Sequence, residues 1–538
     1  MPAPIRGRSL VVTPHPAASQ AGTDALRAGG TAVDAAVAAN AVLAVVYGNA
    51  CGLGGDAFAL VWSPADGRLF GFNGSGRSPA GLTLDLVRER GHPEMPRRGP
   101  LPINVPGAVD AWAHLVGRFG RRSLADALLP AAQIADAGYE LTAVTASAIE
   151  KSAGLFDDAA RHVFLAAGRP PRPGDRLRQP LLAATLRRLA ADGPDAYYRG
   201  PIGAEIARAV QACGGVLSAD DLAAHAGEWV EPISTSYGDT EVATIPPNSQ
   251  GITALIALNV LAALADRDWP GLPAQVPLSA EAVTSAERMH AQVEALKIAW
   301  SERDRYVSDP ERGLCRPADL LSATHAAELA ARLDPVRAVR FSRQATGGGT
   351  VYLCAADADG MMVSLIESNY MGFGSGVMGG ETGIMLQNRG AYFHLDPNHP
   401  NHLAPSSRTL HTLMPAMLLR DGRPWVALGA MGGDGQPHTV LQLVNALVDD
   451  GLDPQQAVDR PRFVLEVEGT GGPLGPISIE ADGVDESLRR GLEQRGHEVR
   501  VTEPRNPLMG WAQVLRRESD GGYSGGADPR ADSVADGL

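Results

Sequence analysis

GGGTVYLCAADADGMMVSLIES, residues 347–368, contains the signals from which the rest of the chain can be interpreted. VYLCAA and MMVSLIES have the composition of two β-strands, and DADG between them supplies turn residues, so the segment predicts a β-hairpin. If Ala356 lies opposite Met361, every other pair across the hairpin follows from a constant index sum.

This register brings a hydroxyl to a glycine-rich junction, because Glu367 and Ser368 then lie beside Thr350 and the Gly349–Thr350 peptide bond. Glycine allows backbone conformations that other residues avoid, and attack on this bond requires such freedom. We therefore expect the Thr350 hydroxyl to attack the Gly349 carbonyl. Hydrolysis of the resulting ester then frees Thr350 as a new amino terminus.

A freed Thr350 carries a nucleophile and a base in one residue. An α-amine ordinarily has a pKa of about 7.7–8.0, so it can accept the hydroxyl proton near neutral pH. Taken alone, GGGT is also typical of a flexible loop that leads into a strand. The processing interpretation therefore depends on the other motifs of the chain.

Those motifs are spread over nearly the whole chain: GGTAVDAAVAAN (29–40), GLGGDAF (52–58), VPGAVDAW (105–112), PPNSQG (246–251), GFGSG (372–376), ETGIMLQNRG (381–390), AMGGDGQPHTVLQ (430–442) and GGADPR (525–530). In composition and order they resemble the γ-glutamyltranspeptidase family of N-terminal-nucleophile hydrolases. The resemblance implies an α+β fold, a four-layer αββα sandwich. A large subunit, residues 1–349, and a small subunit, residues 350–538, would form it together as fragments of one precursor, without a cofactor.

The resemblance also implies the catalytic roles. Thr350 is the nucleophile, and Ser368 occupies the position of a threonine whose hydroxyl contacts the nucleophile in relatives. Gly432 and Gly433 match a glycine pair that forms the oxyanion hole. From the sequence alone, paired glycines before a helix are also compatible with a simple tight turn.

Substrate-binding positions differ from those of glutathione-cleaving relatives. Their R-E-x-A-P arginine aligns with Ser75, and Arg77 lies two residues away. We favour a surface or ion-paired position for Arg77, with substrate binding as the alternative. Two adjacent serines of those relatives align with His411 and Thr412, and an asparagine aligns with Tyr370.

An aspartate that binds the substrate ammonium in those relatives aligns with Tyr392, while Arg389 is introduced nearby. This pattern favours a small acidic amide over a γ-glutamyl compound, as in the oxamate amidohydrolase and acylase branch. Three alternatives stay open: a true γ-glutamyltransferase or glutathione hydrolase, a relative that cleaves a C–C bond in secondary metabolism, and an uncleaved binding protein. The association of two processed heterodimers into a dimer also stays open.

Composition limits the partners and the compartment. With 47 basic and 61 acidic residues the formal net charge is −14, which disfavours nucleic acid as a partner. No apolar run is long enough to predict a membrane span, and no secretory signal is recognised at the amino terminus. We expect a cytoplasmic protein, and four widely spaced cysteines agree with a reducing compartment.

Other candidate sites are interpreted as structural, and no metal is predicted. Residues 52–57 fit a dinucleotide fingerprint, but a helix pattern precedes them and a strand pattern follows, the reverse of what that motif requires. His290 and Glu294 lie one helical turn apart and are expected to be a packed pair. The histidines of residues 394–402 lie among turn residues, and Cys354 has no recognisable base.

Local patterns predict several elements directly. Thr31 and Asp34 form a capping box before an alanine-rich helix that should end near Tyr47. Further helices are expected over 124–137, 202–212, 283–300 and 438–447, with a helix start at 218–222, and strands over 58–62 and 68–72. Residues 332–345 are expected to be mobile.

Overall fold

Two seven-stranded antiparallel sheets lie face to face in the computed structural model, which describes residues 3–165, 168–267, 269–270, 272, 285–314, 316–339, 349–467 and 474–538. The strands are β1 (Ile5–Gly7), β2 (Leu10–Thr13), β3 (Asp56–Ser63), β4 (Arg68–Gly74), β5 (Tyr139–Glu140), β6 (Arg176–Leu177), β7 (Glu228–Val230), β8 (Ile233–Tyr237), β9 (Thr240–Thr244), β10 (Gly349–Ala356), β11 (Met362–Tyr370), β12 (Ala416–Arg420), β13 (Arg423–Ala430), β14 (Phe463–Val467), β15 (Leu474–Glu480), β16 (Val499–Thr502), β17 (Ala512–Arg517), β18 (Tyr523–Ala527) and β19 (Val534–Gly537).

Helices cover the outer faces of both sheets. They are α1 (Pro16–Arg27), α2 (Ala32–Val46), α3 (Leu84–Glu89), α4 (Ala108–Phe119), α5 (Leu124–Ala137), α6 (Ala143–Ser152), α7 (Asp158–Phe164), α8 (Pro180–Asp192), α9 (Asp195–Tyr198), α10 (Pro201–Ala212), α11 (Ala219–Ala223), α12 (Ile252–Ala265), α13 (Ala286–Tyr306), α14 (Pro317–Leu320), α15 (Ala323–Ala330), α16 (Gln436–Val448), α17 (Pro454–Asp459) and α18 (Glu486–Gln494). One helical layer, with α2 at its centre, packs on the sheet that contains β10, and the other, built on α12, α13 and α16, packs on the sheet that contains β13.

The layers confirm the αββα sandwich. One sheet has the order β19-β2-β10-β11-β3-β4-β7 and the other β1-β18-β17-β13-β12-β9-β8. Apolar side chains such as Phe58, Tyr352 and Met417 fill the space between them. Each sheet contains strands from both sides of the Gly349–Thr350 bond, so both predicted subunits contribute to the two sheets.

The hairpin is present, with a register one residue from the predicted one. Ala356 pairs with Met362 and not with Met361, and the register shifts again between Gly349 and Val351. The cause is the turn, where Asp357 Oδ1 accepts hydrogen bonds from the amides of Asp359 and Met361 and so keeps Met361 out of the strand.

Most of the local predictions are confirmed. Thr31 caps α2 through a capping box with Asp34, and all fifteen residues of the helix are buried, which the small side chains permit. The helix over 124–137 is confirmed at both ends, and β3, β4, α10 and α16 extend their predicted ranges by one to two residues at an end. The start near 218 is α11, which Ser218 caps.

Two other predictions lie partly outside the described residues. The predicted helix over 283–300 begins outside the described residues, and the described helix α13 runs from Ala286 to Tyr306. Of the segment expected to be mobile, residues 332–339 are described, and residues 340–345 lie outside. Gly347 and Gly348 also lie outside. No helix in the described part of the chain is both long and apolar enough to cross a bilayer.

Candidate active site

The Gly349–Thr350 bond lies at the start of β10 beside two groups of β11. Thr350 Oγ1 donates a hydrogen bond to Ser368 Oγ at 3.3 Å, and Ser368 in turn donates to the Gly349 carbonyl oxygen. The Tyr370 amide donates to Ser368 Oγ at 2.7 Å and fixes its position. The hydroxyl of Thr350 and the carbonyl before it therefore contact one serine, and Thr350 is buried.

Asp56 extends this arrangement to the next strand, because it lies directly opposite Ser368 in the pairing of β11 with β3. Its Oδ1 accepts from the amides of Gly76 (3.0 Å) and Gly107 (3.2 Å) and from Gln387 Nε2 (3.0 Å). Complete burial raises the pKa of Asp56 to about 7, and Arg389 and these donors oppose the rise.

His411 faces the other oxygen of this carboxylate. Its Nε2 lies 3.0 Å from Asp56 Oδ2, and its Nδ1 accepts from the Leu413 amide at 3.3 Å. Burial lowers the pKa of His411 well below its usual value, so the ring is neutral. Because Nδ1 is an acceptor, the single ring proton is on Nε2 and is donated to Asp56.

Arg389 is completely buried, and only some of its hydrogen-bond donors have partners in the described part of the chain. Its guanidinium stacks on the Tyr370 ring at 4.1 Å, and Nη1 donates to Thr412 Oγ1 at 3.0 Å. Nε and Nη2 are buried and have no hydrogen-bond partner in the described part of the chain. Unpaired donors of a buried cation are costly, so they indicate a position for an anionic ligand.

Gly432 and Gly433 follow β13 and precede α16, as the sequence predicts. Their φ angles are 141° and 55°, values that favour glycine, and neither amide donates to a group among the described residues. Gln250 Nε2 donates to the carbonyls of Gly433 and Thr412, both at 2.8 Å. This glutamine therefore connects the glycine turn to the residue that holds Arg389.

A second polar cluster stiffens the same turn. Arg303, which is fully buried, donates to Asp434 Oδ1 at 2.6 Å and to Gln250 Oε1 at 2.7 Å. The Tyr392 hydroxyl also donates to Asp434, and its ring lies 5.6 Å from that of Tyr370. Asp434 is thus ion-paired within the protein, next to the glycine pair.

Two predicted substrate residues have structural partners. The Ser75 hydroxyl is buried and donates to Asn73 Oδ1 at 2.7 Å. Arg77 is 28% exposed and pairs with Glu311 at 2.6 Å and with Asp309 at 3.5 Å. The structure therefore brings together Thr350, Ser368, Tyr370, Arg389, His411, Thr412 and the glycine pair, and it places Arg77 in an ion-pair cluster at the surface.

The remaining candidates have structural surroundings as well. His290 and Glu294 are joined by His497, with 2.7 Å between His290 Nδ1 and His497 Nε2, and Lys297 pairs with Glu294 at 2.8 Å. The rings of His394 and His399 stack at 3.5 Å. Cys354 is fully buried, which raises the pKa of its thiol and disfavours a nucleophilic thiolate.

Asp56, Gln250, Arg303 and Asp434 are parts of the site that the sequence analysis did not assign. A signal existed for three of them: Asp56, Gln250 and Asp434 are polar residues inside the motifs GLGGDAF, PPNSQG and AMGGDGQ. A polar side chain in a glycine-rich turn next to a buried strand is a candidate for a buried network. Arg303, at the end of a long helix, gave no such signal.

The sandwich, with a threonine at the start of a central strand, defines the class of N-terminal-nucleophile hydrolases. A solved structure of cephalosporin acylase from Bacillus halodurans superposes with a TM-score of 0.91 at 36% identity, covering 100% of this chain and 97% of that one.

Family comparisons agree with this class. The family model described as Gamma-glutamyltranspeptidase matches residues 18–538, and the chain belongs to that family. It is 39% identical to the glutathione hydrolase-like YwrD proenzyme of Bacillus subtilis (strain 168) and 36% identical to the oxamate amidohydrolase proenzyme of Klebsiella pneumoniae, in both cases over 99% of each chain. The chain is a self-processing amidohydrolase or acyltransferase of this family.

Proposed function

We propose that the chain cleaves itself between Gly349 and Thr350. Thr350 Oγ1 attacks the Gly349 carbonyl carbon, and its proton passes toward Ser368 Oγ, to which it already donates. The Ser368 proton stabilises the developing charge on the Gly349 oxygen. The proton then passes to the departing Thr350 nitrogen as the C–N bond breaks, which leaves the Gly349 acyl group as an ester on Oγ1 and frees the Thr350 amine. Water hydrolyses this ester, which releases residues 1–349 with a carboxylate at Gly349 and restores the Thr350 hydroxyl.

The processed enzyme uses the same threonine on an external amide. The Thr350 amine takes the hydroxyl proton, Oγ1 forms an acyl ester with the substrate carbonyl, and the proton is delivered to the departing amine. The amides of Gly432 and Gly433 stabilise the oxyanion, which their lack of partners among the described residues supports. Water or an acceptor amine then resolves the ester.

The substrate is a small amide with a free carboxylate and no adjacent ammonium. The observation that carries this proposal is the buried Arg389, whose Nε and Nη2 lack partners in the described part of the chain. A guanidinium presents such donors as a fork that matches a carboxylate. Ser75 and Arg77 are engaged elsewhere, which leaves Arg389, Tyr370 and Thr412 as the residues around the anion.

A γ-glutamyl substrate is the second candidate, and the name of the glutathione hydrolase-like relative favours it. It requires an acidic partner for the α-ammonium. Asp434 accepts a hydrogen bond from Tyr392, but Arg303 already pairs with this carboxylate at 2.6 Å. The oxamate amidohydrolase and cephalosporin acylase relatives instead support an acid amide.

We also infer that the two fragments remain a heterodimer and act in the cytoplasm. Strands from both sides of the proposed cleavage bond pair with one another in each sheet, so separation of the fragments requires that these pairs be broken. Cys51 and Cys354 are buried free thiols, which suits a reducing compartment.

Processing is tested with Thr350→Ala, which removes the attacking hydroxyl. The variant should stay an intact 538-residue chain, whereas the parent should yield a fragment whose sequence begins Thr-Val-Tyr-Leu. Thr350→Ser is the matched control, because it keeps a hydroxyl and should still be cleaved. Cleavage of the alanine variant at this bond would refute the mechanism.

Substrate class is tested with γ-glutamyl 4-nitroanilide, glutaryl 4-nitroanilide, oxamate and an α-keto acid, offered to processed enzyme. We expect the glutaryl compound or oxamate to be turned over best. Arg389→Ala should raise KM for the acidic amide by about 10²-fold, since a charge-assisted pair contributes roughly 1.5–3 kcal/mol. Arg389→Lys keeps the charge but loses the fork, and it should recover only part of the affinity.

Two results would overturn the substrate proposal. One is efficient turnover of the γ-glutamyl anilide with transfer to a dipeptide, which would identify a true γ-glutamyltransferase. The other is an Arg389→Ala enzyme with unchanged KM for the acidic amide, which would remove Arg389 from the binding site.

A further inference from the structure

Asp56 lies in an environment built for a carboxylate. Glycines make the close approach possible, because a Cβ on Gly76 would lie 1.6 Å from the Val105 oxygen and one on Gly107 would lie 1.8 Å from the Gly74 oxygen. Both amides thereby reach Asp56 Oδ1, which also accepts from Gln387. A carboxylate that accepts three hydrogen bonds at one oxygen is held in one orientation.

The fixed carboxylate selects one form of His411. Asp56 Oδ2 accepts from Nε2, while Nδ1 receives the Leu413 amide, so only the tautomer with the proton on Nε2 satisfies both neighbours. Phe58 packs against the ring with centroids 4.8 Å apart and limits its rotation. His411 therefore has a single orientation and a single tautomer.

His411 is followed by the residue that holds the proposed anion site. Thr412 Oγ1 accepts from Arg389 Nη1 at 3.0 Å, while Nε and Nη2 of the same guanidinium have no acceptor among the described residues. Gln250 holds the Thr412 carbonyl at 2.8 Å, so the backbone at 411–412 is restrained on both sides. A shift of His411 would also move Thr412, the next residue in the chain, and with it the Arg389 guanidinium that donates to Thr412.

We propose that Asp56 is a positioning residue that determines selectivity for acidic substrates, acting through His411 and Thr412 on the guanidinium of Arg389. Asp56 does not need to touch the substrate. The inference rests on the proposed function, because it assumes that Arg389 binds the substrate carboxylate. A purely structural role would instead affect acidic and uncharged substrates equally.

Asp56→Asn is the direct test, because it keeps the shape of the side chain and removes its charge. The new amide can keep its oxygen on the three donors that now reach Oδ1, but its NH2 group then faces His411 Nε2. If the ring proton stays on Nε2, it faces the new NH2 group. If the proton moves to Nδ1, it faces the Leu413 amide N–H. In either tautomer two donors therefore oppose each other. The ring should therefore move, and Arg389 should lose its alignment.

The readout is the KM of processed enzyme for glutaryl 4-nitroanilide and for its uncharged analogue, in which a carboxamide replaces the carboxylate. Asp56→Asn should raise KM for the acid at least about 10-fold, which corresponds to ~1.4 kcal/mol, with kcat within about 3-fold. KM for the uncharged analogue should not change. Equal changes for both substrates, or none for the acid, would overturn the inference.

A second pair of variants keeps the test decisive if Asp56→Asn does not fold. His411→Gln retains an N–H donor near the place of Nε2 and should keep most of the acid selectivity, whereas His411→Leu should lose it. Calorimetric binding of glutarate gives the same comparison without turnover. Equal glutarate affinity in the two His411 variants would contradict the inference.

The test also separates this inference from the proposed function. If Arg389→Ala raises KM for the acid and Asp56→Asn does not, only the positioning role fails. If Arg389→Ala leaves that KM unchanged, the carboxylate site itself fails.

Discussion

At the scale of single residues, Ser368 links the hydroxyl of Thr350, the proposed nucleophile, to the carbonyl of Gly349, which we propose that it attacks. Its hydroxyl accepts from Thr350 and from the Tyr370 amide, and it donates to the Gly349 carbonyl. Each of its hydrogen-bonding positions is therefore used in the precursor.

We expect Ser368→Ala to slow processing by about 10²–10³-fold, because it removes the donor to the carbonyl oxygen that becomes charged. The fraction of intact chain over time on a denaturing gel measures this rate. Ser368→Thr restores a hydroxyl and should process at a rate close to that of the parent. Processing of the alanine variant at the parental rate would show that another group stabilises the oxyanion.

The role of a residue could be predicted where its partners lie nearby in the sequence. It could not be predicted where the partners are distant in the sequence. Thr350 and Ser368 lie on one hairpin, so periodicity and turn composition bring them together. Asp56 acquires its role from His411, which is 355 positions away. No local pattern encodes that contact, and burial of the carboxylate becomes evident only when the strands are assembled.

At the scale of elements, the sequence predicts which strands exist more reliably than how they pair. The observed hairpin register differs by one residue from the predicted one, because the Asp357 side chain accepts hydrogen bonds from the amides of Asp359 and Met361 and so lengthens the turn. Thr350 and Ser368 still meet, since the observed pairs, such as Val351 with Glu367, continue to Thr350 opposite Ser368, and the register shifts again only between Gly349 and Val351. A period-two pattern of apolar residues shows neither the hydrogen bonds that a side chain makes within a turn nor a local shift in strand pairing.

The connection between β13 and α16 is the element to which we assign the oxyanion hole. Gly432→Pro removes an amide donor and cannot adopt a φ of 141°, so turnover should fall by at least about 10²–10³-fold while the precursor still folds. Steady-state kinetics of processed protein measures this loss, and a gel reports any separate effect on cleavage.

Gly432→Ala is the matched control for this element. It keeps the amide, and its Cβ would meet nothing closer than the Gly510 Cα at 3.6 Å, although the positive φ adds strain. The alanine variant should therefore retain more activity than the proline variant. Equal activity of Gly432→Pro and the parent would place the oxyanion hole elsewhere.

At the scale of the whole molecule, a buried cluster joins regions on both sides of the Gly349–Thr350 bond. His290 Nε2 donates to the Asp334 carbonyl, so its Nδ1 accepts from His497 Nε2. Glu294 accepts from the Val339 amide, and Lys297 donates to the Val339 carbonyl. The described segment that leads toward the Gly349–Thr350 bond is thereby joined to α13, and through His497 to the chain that follows this bond.

This cluster should make the protein sensitive to acid. Burial, aided by Lys297 and His290, lowers the pKa of His497 to about 2 from the usual 6.5. The neutral ring contributes its full stability above pH 6.5, and that contribution is lost as pH falls, because the unfolded chain takes up the proton first. At pH 5 the loss is about 2 kcal/mol for this one group.

We therefore predict that His497→Gln, which keeps a donor toward His290 Nδ1, loses less stability between pH 7 and pH 5 than the parent, by about 2 kcal/mol. Urea unfolding at the two pH values, in a Thr350→Ala background that keeps the chain intact, measures the difference. Other titrating groups are common to both proteins and cancel. His162→Gln is the control, because that histidine is exposed and should not change the difference. If the parent and His497→Gln lost the same stability, the buried histidine cluster would not be the source of the acid sensitivity.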